Sequence, residues 1–214
     1  MTTKERYREV IEYFLEHRPD AATELVYDSP YQLIVAVILS AQCTDKRVNM
    51  ITPVLLEKFP RPEDLAAGTQ EEIYEVIKSC TYPNNKAKNL LGMAQKLVTE
   101  FNGVLPDDVE KLMELPGVGR KTANVLASVL YDQPAMAVDT HVFRVAARIG
   151  LTKGAKNPFQ TEMQLVKHIP PELIPLAHHW LILHGRYVCV ARNPKCAECG
   201  ITHCCKYFES LTKG

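Results

Sequence analysis

The chain has 214 residues, of which 46% are hydrophobic, so it is long enough to bury a core in one large domain or two smaller ones. Its 25 lysines and arginines balance 25 aspartates and glutamates, and this zero net charge excludes a general electrostatic argument for a nucleic-acid partner. The longest apolar run, 33–39, is too short to span a bilayer, and the mixed charge of the N-terminus excludes a signal or transit peptide.

The first part of the chain predicts helices only. Residues 5–16 have the pattern of an amphipathic helix. Ser29 and Pro30 are typical of a helix N-cap and first position, and the stretch 31–42 after them is apolar almost all round, which predicts a helix buried on every side. A buried strand has a similar pattern, but the length and the cap favour a helix. Further helices are predicted at 45–58, 70–79 and 85–101.

A turn rich in glycine joins a short predicted helix, 109–114, to a longer one, 120–130. Its two glycines allow positive φ angles and close approach of the backbone. The second helix begins at the turn, so its free N–H groups and the positive end of its dipole suit an anion. This pattern indicates a helix-hairpin-helix that binds a DNA phosphate through main-chain amides, and a plain αα-hairpin is the alternative. The candidate DNA contacts of the turn are Gly117, Val118, Gly119 and Arg120.

Lys121 lies in the first turn of the second hairpin helix. The positive end of the helix dipole disfavours its ammonium form, and partial burial would act in the same direction. Nucleophilic attack requires a neutral amine, so this position predicts a Schiff-base lysine. The alternative is a phosphate-binding cation, an interpretation that suits Arg120 better.

Asp139 follows Lys121 by eighteen residues and precedes the predicted helix 141–149. Taken alone, its simplest role is to cap that helix. Paired with Lys121 in a DNA-binding fold, the carboxylate can also stabilise positive charge that develops at a sugar carbon as a base departs. With two more predicted helices, 157–168 and 173–188, and no strand pattern, the predicted fold class is all-α.

Four cysteines near the C-terminus follow the spacing C-x6-C-x2-C-x5-C: Cys189, Cys196, Cys199 and Cys205. Thiolates ligate both zinc and iron–sulfur clusters. Zinc sites more often show two short Cys-x-x-Cys pairs, whereas only Cys196 and Cys199 form one here, so the spacing favours a [4Fe-4S] cluster. Disulfides are the weaker alternative in a chain without a signal peptide. Arg192 and Lys195, between the first two cysteines, belong to a locally basic segment that fits phosphate contact, with a solvated charged face as the alternative.

The chain resembles the endonuclease III family of DNA glycosylases. The resemblance is carried, in order, by the segments 33–42, 115–124, 137–144 and 178–186 and by the cysteine spacing. It implies a base-excision-repair enzyme, a DNA N-glycosylase and DNA-(apurinic or apyrimidinic site) lyase that removes oxidised pyrimidines. Lys121 would attack C1′ of the damaged nucleotide, expel the base and form an imine, after which β-elimination nicks the strand at the 3′ side. Asp139 would assist as the carboxylate.

The resemblance also implies two helical domains that flank a DNA-binding groove. A helical barrel at 22–134 would contain the hairpin at about 109–130, and residues 1–21 with 135–214 would form a [4Fe-4S] domain with its cluster loop at 189–205. The cluster would be structural, with Cys204 as a spare thiol. The implied partner is double-stranded DNA with damaged bases or abasic sites. We expect a monomer that is cytoplasmic and associated with the nucleoid, as in bacteria.

In this family, side chains from two loops fill the hole that a flipped nucleotide leaves. Gln42 matches the filler glutamine, although a polar helix end that meets solvent is the alternative. The second filler falls at Tyr82, which can stack as a wedge, while Pro83 departs from the family's more usual glycine-containing loop. Two other functions stay open. The first is an adenine glycosylase, which is disfavoured because such enzymes carry a catalytic glutamate in the helix before the filler glutamine and 35–39 has no acidic residue. The second is a non-catalytic helix-hairpin-helix protein with a structural metal.

Overall fold

A computed structural model describes residues 1–212 of the chain, and this part of the chain is all-helical, without a strand. The predicted all-α fold class is therefore confirmed. The α-helices are α1 (Thr3–His17), α2 (Pro30–Ser40), α3 (Asp45–Lys58), α4 (Pro62–Ala67), α5 (Gln70–Ile77), α6 (Pro83–Phe101), α7 (Val109–Met113), α8 (Arg120–Tyr131), α9 (Thr140–Ile149), α10 (Pro158–His168), α11 (Ile174–Tyr187) and α12 (Lys206–Thr212). Short 3₁₀ turns lie at Pro171–Leu173, Cys196–Glu198 and Thr202–Cys204.

The chain separates into two compact units. The first, which we call the hairpin unit, is Glu24–Tyr131, and the second, the cysteine unit, combines Met1–Thr23 with the residues from Asp132 onward. None of the helices within residues 1–212 is both long and apolar enough to cross a bilayer.

The core of the hairpin unit is built around α2. Every side chain from Leu33 to Leu39 is buried, as the apolar run predicts, and α2 packs against α3, α6 and α8. Ser29 caps the helix by accepting a hydrogen bond from the N–H of Gln32. Burial of these aliphatic side chains contributes about 1.5–3 kcal/mol each, so this helix anchors the elements that carry the candidate site.

Two helices were not predicted from the sequence. In α4, Pro62 occupies the first helical position, where its missing N–H costs nothing, and Asp64 accepts a hydrogen bond from the Arg61 N–H at the cap. The helix is stabilised by α6, against which it packs with Leu65 buried. The other missed helix, α12, follows the last cysteine and packs against α9.

The N-terminal helix closes the core of the cysteine unit. Phe14 of α1 stacks on Trp180 of α11, with ring centroids 5.6 Å apart and planes 12° apart. Trp180 donates its indole N–H to the Arg18 carbonyl at 2.7 Å, and Arg6 donates to the Cys204 carbonyl at 2.7 Å. These contacts join residues more than 160 positions apart, so the C-terminal segment depends on α1 for its packing.

Candidate active site and metal centre

The turn between α7 and α8 has different requirements at its two glycines. Gly117 has a φ of +81°, and an added Cβ would come within 2.9 Å of the Asn89 side chain, so only glycine fits without strain. An added Cβ at Gly119 would meet no atom within 4 Å, so the protein itself does not require glycine there. Val118, between them, is buried and holds the turn against the core.

Lys121 and Arg120 begin α8. Lys121 is exposed, not partly buried as the sequence suggested, whereas Arg120 beside it is half-buried. Helix α8 is anchored by its buried face, which includes Ala123, Val125 and Leu126. The lysine side chain therefore extends from an anchored helix start into an accessible position.

Asp139 caps α9. Its Oδ1 atom accepts a hydrogen bond from the N–H of Val142 at 2.8 Å, and its side chain is half-buried. The segment before it is held by α11, because the Nδ1 atom of buried His178 lies 2.9 Å from the Ala137 carbonyl oxygen. The cap fixes the orientation of the carboxylate and engages one of its two oxygens.

Gln42 and Tyr82, the two candidates to fill the hole left by a flipped nucleotide, lie on neighbouring loops of the hairpin unit. We call these loops, 41–44 between α2 and α3 and 78–82 between α5 and α6, the paired loops. Both are exposed and have left-handed backbones, with φ of 54° and 53°, which is uncommon for residues other than glycine. Gln42 lies beyond the end of α2 at Ser40, not inside the predicted helix 31–42. Thr81 donates its hydroxyl to the Gln42 carbonyl and so links the loops.

A buried lysine on α6 binds the C-terminal end of α2, which leads into the loop that carries Gln42. The Nζ atom of Lys86, on α6, donates to the Leu39 carbonyl at 2.8 Å, near the C-terminal end of α2. Burial lowers the pKa of Lys86, although the nearby Cys80 and Cys43 act in the opposite direction. A cation is favourable at this helix end, where unpaired carbonyls carry partial negative charge.

The four predicted cysteine ligands line one pocket beyond the end of α11. Cys189, Cys196, Cys199 and Cys205 share it with apolar side chains such as Ile149, Val188 and Phe208, and the space between its atoms, partly open to solvent, is about 330 Å³. Cys204 is turned away into the core, where its Sγ atom donates to the Ile201 carbonyl at 3.3 Å. In residues 1–212, no three His, Cys, Asp or Glu side chains stand close enough to hold a single metal ion.

The chemistry of the pocket fits a thiolate-bound metal centre. Burial raises the pKa of the Cys199 and Cys205 thiols, and the neighbouring cysteines add to the effect. Backbone groups act in the opposite direction, Ile201 at Cys199 and both Phe208 and Tyr207 at Cys205. Four deprotonated sulfurs would repel one another in this apolar pocket, and bound metal removes that cost. The ligand set is typical of zinc and iron–sulfur centres.

Two arginines at the pocket were not identified from the sequence. Arg148 donates to the Val190 and Ala191 carbonyls at 2.7 and 2.8 Å, and its Nη1 atom lies 3.6 Å from the Cys189 sulfur. Arg144 donates to the Gly185 carbonyl at 2.8 Å. Their spacing of four residues on α9 was the available signal, since it places both on one helix face.

The structure thus assembles three groups of predicted site residues, each within one unit. The hairpin turn carries Gly117–Gly119, Arg120 and Lys121, and the paired loops carry Gln42 and Tyr82. The cysteine unit holds the four-cysteine pocket, Asp139, and the exposed side chains of Arg192 and Lys195 on the loop that Arg148 binds.

Comparison with known proteins gives one consistent result. The model of the HhH-GPD superfamily of base excision DNA repair proteins matches residues 35–171. Endonuclease III of Rickettsia conorii is 46% identical over 202 residues, which is 94% of this chain and 96% of that protein. Endonuclease III of Synechocystis is 47% identical over 204 residues, 94% and 92% of the two chains.

Among solved structures, a trapped endonuclease III–DNA covalent intermediate is similar along almost the entire chain. Its TM-score is 0.93 at 42% sequence identity, and the match covers 99% of this chain and 100% of that one.

Proposed function

This chain belongs to the endonuclease III family of base excision DNA repair proteins, and from that membership we propose that it is a bifunctional DNA glycosylase and abasic-site lyase acting on duplex DNA. In this proposal the hairpin unit and the cysteine unit serve as the two domains of the enzyme. The substrate class is oxidised pyrimidines, and the expected place of action is the nucleoid, because the substrate is genomic DNA.

One observation carries the proposal. An exposed lysine stands at the start of α8, directly after the turn Gly117–Gly119, in a chain that is 42% identical to an endonuclease III trapped covalently on DNA. A covalent intermediate needs a nucleophile that a sugar carbon can reach, and the accessible amine of Lys121 meets that requirement.

The proposed reaction begins with attack by the neutral Nζ of Lys121 on C1′ of the damaged nucleotide. The glycosidic bond breaks, its electron pair leaves with the base, and the base takes up a proton. The attached nitrogen loses a proton, the C1′–O4′ bond of the sugar ring opens and O4′ takes up a proton, which gives an iminium ion. The iminium ion acidifies the C2′ proton, so removal of that proton expels the 3′ phosphate and nicks the strand. Hydrolysis of the imine then restores the lysine. Covalent catalysis of this kind divides one difficult displacement into easier steps.

Asp139 is proposed to stabilise the positive charge that develops on the sugar. Its Oδ1 atom is held by the Val142 N–H at 2.8 Å, so the carboxylate is oriented before substrate binds. Preoriented charge is effective because it needs no reorganisation during the reaction. Capping and catalysis are compatible for one carboxylate, since the cap engages one oxygen.

DNA binding is proposed to use the hairpin turn and the paired loops. The open space at Gly119 supports close approach of a phosphate to the N–H groups at the start of α8, a contact without sequence information. Exposed Gln42 and Tyr82 are suited to fill the hole left by an extruded nucleotide, and Tyr82, 61% exposed, offers a ring for stacking. Arg192 and Lys195 would meet phosphate elsewhere on the duplex.

The four-cysteine pocket is proposed to hold a [4Fe-4S] cluster through Cys189, Cys196, Cys199 and Cys205. The four thiols line one apolar pocket, and their uneven spacing along the chain supports a cluster over a single ion. When bound, the cluster supplies four metal–thiolate bonds that hold the loop after α11. Arg148 positions that loop by binding the Val190 and Ala191 carbonyls.

Borohydride trapping tests the catalytic proposal. Reduction during turnover should join the protein irreversibly to a duplex that contains an oxidised pyrimidine or an abasic site. Lys121→Ala should abolish the adduct while DNA affinity stays within a few fold. The matched control is Lys167→Ala, because Lys167 is an exposed lysine on α10 outside the proposed site.

The remaining functions predict different results. If Lys121→Ala still forms the adduct, the nucleophile is another residue. A protein that binds duplex DNA yet neither releases a base nor nicks would be the non-catalytic helix-hairpin-helix protein. Release of adenine from a mispair, without nicking, would identify the adenine glycosylase relative.

A further inference from the structure

Two cysteines outside the cluster pocket lie in contact between the paired loops. Cys43 follows Gln42 in the loop between α2 and α3, and Cys80 lies between α5 and α6, two residues before Tyr82. Both are free thiols, and their Sγ atoms are 4.0 Å apart. This separation is van der Waals contact between residues that are 37 positions apart in the chain.

Hydrogen bonds hold the backbone of both cysteines in place. The Cys43 N–H donates to the Ser40 carbonyl at 3.1 Å, and the Cys80 N–H donates to the Ile77 carbonyl at 2.8 Å. The hydroxyl of Thr81 adds a direct link to the backbone of the facing loop. A disulfide bond is about 2.05 Å long, so the two sulfurs need to approach by about 2 Å to form one.

The two thiols differ in accessibility. Cys80 is only 5% exposed, whereas Cys43 is half-buried. Burial, with a smaller contribution from Cys43, raises the pKa of the Cys80 thiol to about 11, against opposing effects of Lys86 and Arg47. An oxidant from solution therefore meets Cys43 first, and Cys80 is placed to react with whatever forms there.

We propose that Cys43 and Cys80 are a dithiol–disulfide redox site that cross-links the two loops carrying Gln42 and Tyr82. The oxidant is a small-molecule disulfide such as oxidised glutathione. The Cys43 thiolate attacks one sulfur of the oxidant to form a mixed disulfide and releases one small thiol. The Cys80 sulfur then attacks the Cys43 sulfur and releases the second. Two protein thiols lose two electrons and two protons, and one small disulfide becomes two thiols.

The expected effect of oxidation is local. The cross-link joins loops that are now connected through sulfur contact and the Thr81 hydrogen bond, so it restrains the left-handed residues Gln42 and Tyr82 in their present positions. A disulfide that closes a loop of this length lowers the entropy of the unfolded chain, which raises the melting temperature. The site does not depend on Lys121 or on base release, so it can be tested apart from the catalytic proposal.

The experiment uses the intact protein, treated without oxygen with oxidised glutathione, alkylated, digested and analysed by mass spectrometry. The expected product is a peptide pair joined through Cys43 and Cys80 and lighter by two hydrogen atoms than the reduced peptides. Dithiothreitol should restore both thiols. The Cys80→Ala variant should instead accumulate a glutathione adduct at Cys43, because the second thiol is missing.

Thermal unfolding provides the second measurement. Oxidation should raise the melting temperature by about 5 °C in the wild type and leave it unchanged in Cys43→Ser. Cys204→Ser is the matched control, since this buried cysteine lies in the other unit and should leave the cross-link intact. The proposal is overturned if oxidised wild type keeps Cys80 available for alkylation, or if Cys43 holds glutathione without resolving.

Discussion

Asp139 combines a structural and a proposed catalytic role, and two substitutions separate them. Asparagine caps a helix about as well as aspartate, so Asp139→Asn should keep the hydrogen bond to the Val142 N–H and lose only the charge. Alanine removes both. The comparison therefore reports on the cap through stability and on the charge through activity.

The magnitudes follow from the geometry at the start of α9. A short cap hydrogen bond of 2.8 Å at a half-buried position is worth about 1 kcal/mol, and the interaction of a carboxylate with the helix dipole adds about 0.3–1 kcal/mol. We expect the melting temperature to fall by about 1–3 °C for Asp139→Asn and about 2–6 °C for Asp139→Ala. Both should slow base release on the order of 100-fold, because both remove the charge.

The assay combines thermal unfolding by circular dichroism with single-turnover base release from a duplex containing an oxidised pyrimidine. Asn157→Ala is the matched control. Asn157 caps α10 by accepting from the Gln160 N–H at 2.9 Å, so this variant should lose similar stability and keep its base-release rate. Wild-type base release by Asp139→Asn would refute the role of the charge, and an unchanged melting temperature for Asp139→Ala would refute the cap energy.

Three further predictions test the hairpin, a buried histidine and the cluster. Gly119→Ala should leave the melting temperature unchanged and weaken duplex binding in a fluorescence titration, whereas Gly117→Ala should also destabilise the fold by about 1 kcal/mol or more, because its φ is +81°. Burial, aided by Arg186, lowers the pKa of His179 to about 4. The unfolded chain therefore binds more protons between pH 6.5 and 4, so the free energy of unfolding falls as the pH is lowered through this range. The contribution of His179 is about 2 kcal/mol by pH 5, measured by urea unfolding, and His179→Gln should remove it. Protein purified without oxygen should contain four irons and four sulfides per chain, and their removal should expose the loop 189–205 to protease; stoichiometric zinc would contradict the cluster.

Much of the fold was predictable because its signals are local. The apolar run 33–39 and the cap at Ser29 and Pro30 predicted a helix enclosed on all sides, and α2 is buried as expected. The glycine turn likewise predicted where α8 begins. The short helix α4 was missed because its stability comes from packing of Leu65 against α6, which no local pattern reveals.

For the candidate site, the sequence proposed residue types but not their geometry. The motif around Lys121 named the lysine, but its exposure became clear only in the folded chain. Gln42 was expected to end a helix, and it lies instead in a left-handed loop linked to Thr81, 39 residues away. The role of Arg148 at the cysteine pocket depends on backbone carbonyls 42 and 43 residues away.

By itself, the order of residues determined the helical class, the hairpin with its lysine and the four cysteines proposed as ligands, because caps, periodicity and spacing act over a few neighbouring positions. Tertiary structure alone decided which thiols touch, which lysine is buried and which is exposed, and how the loops that carry Gln42 and Tyr82 are held together. Those outcomes arise from contacts between distant segments, where burial and hydrogen bonding in the folded chain outweigh local preference.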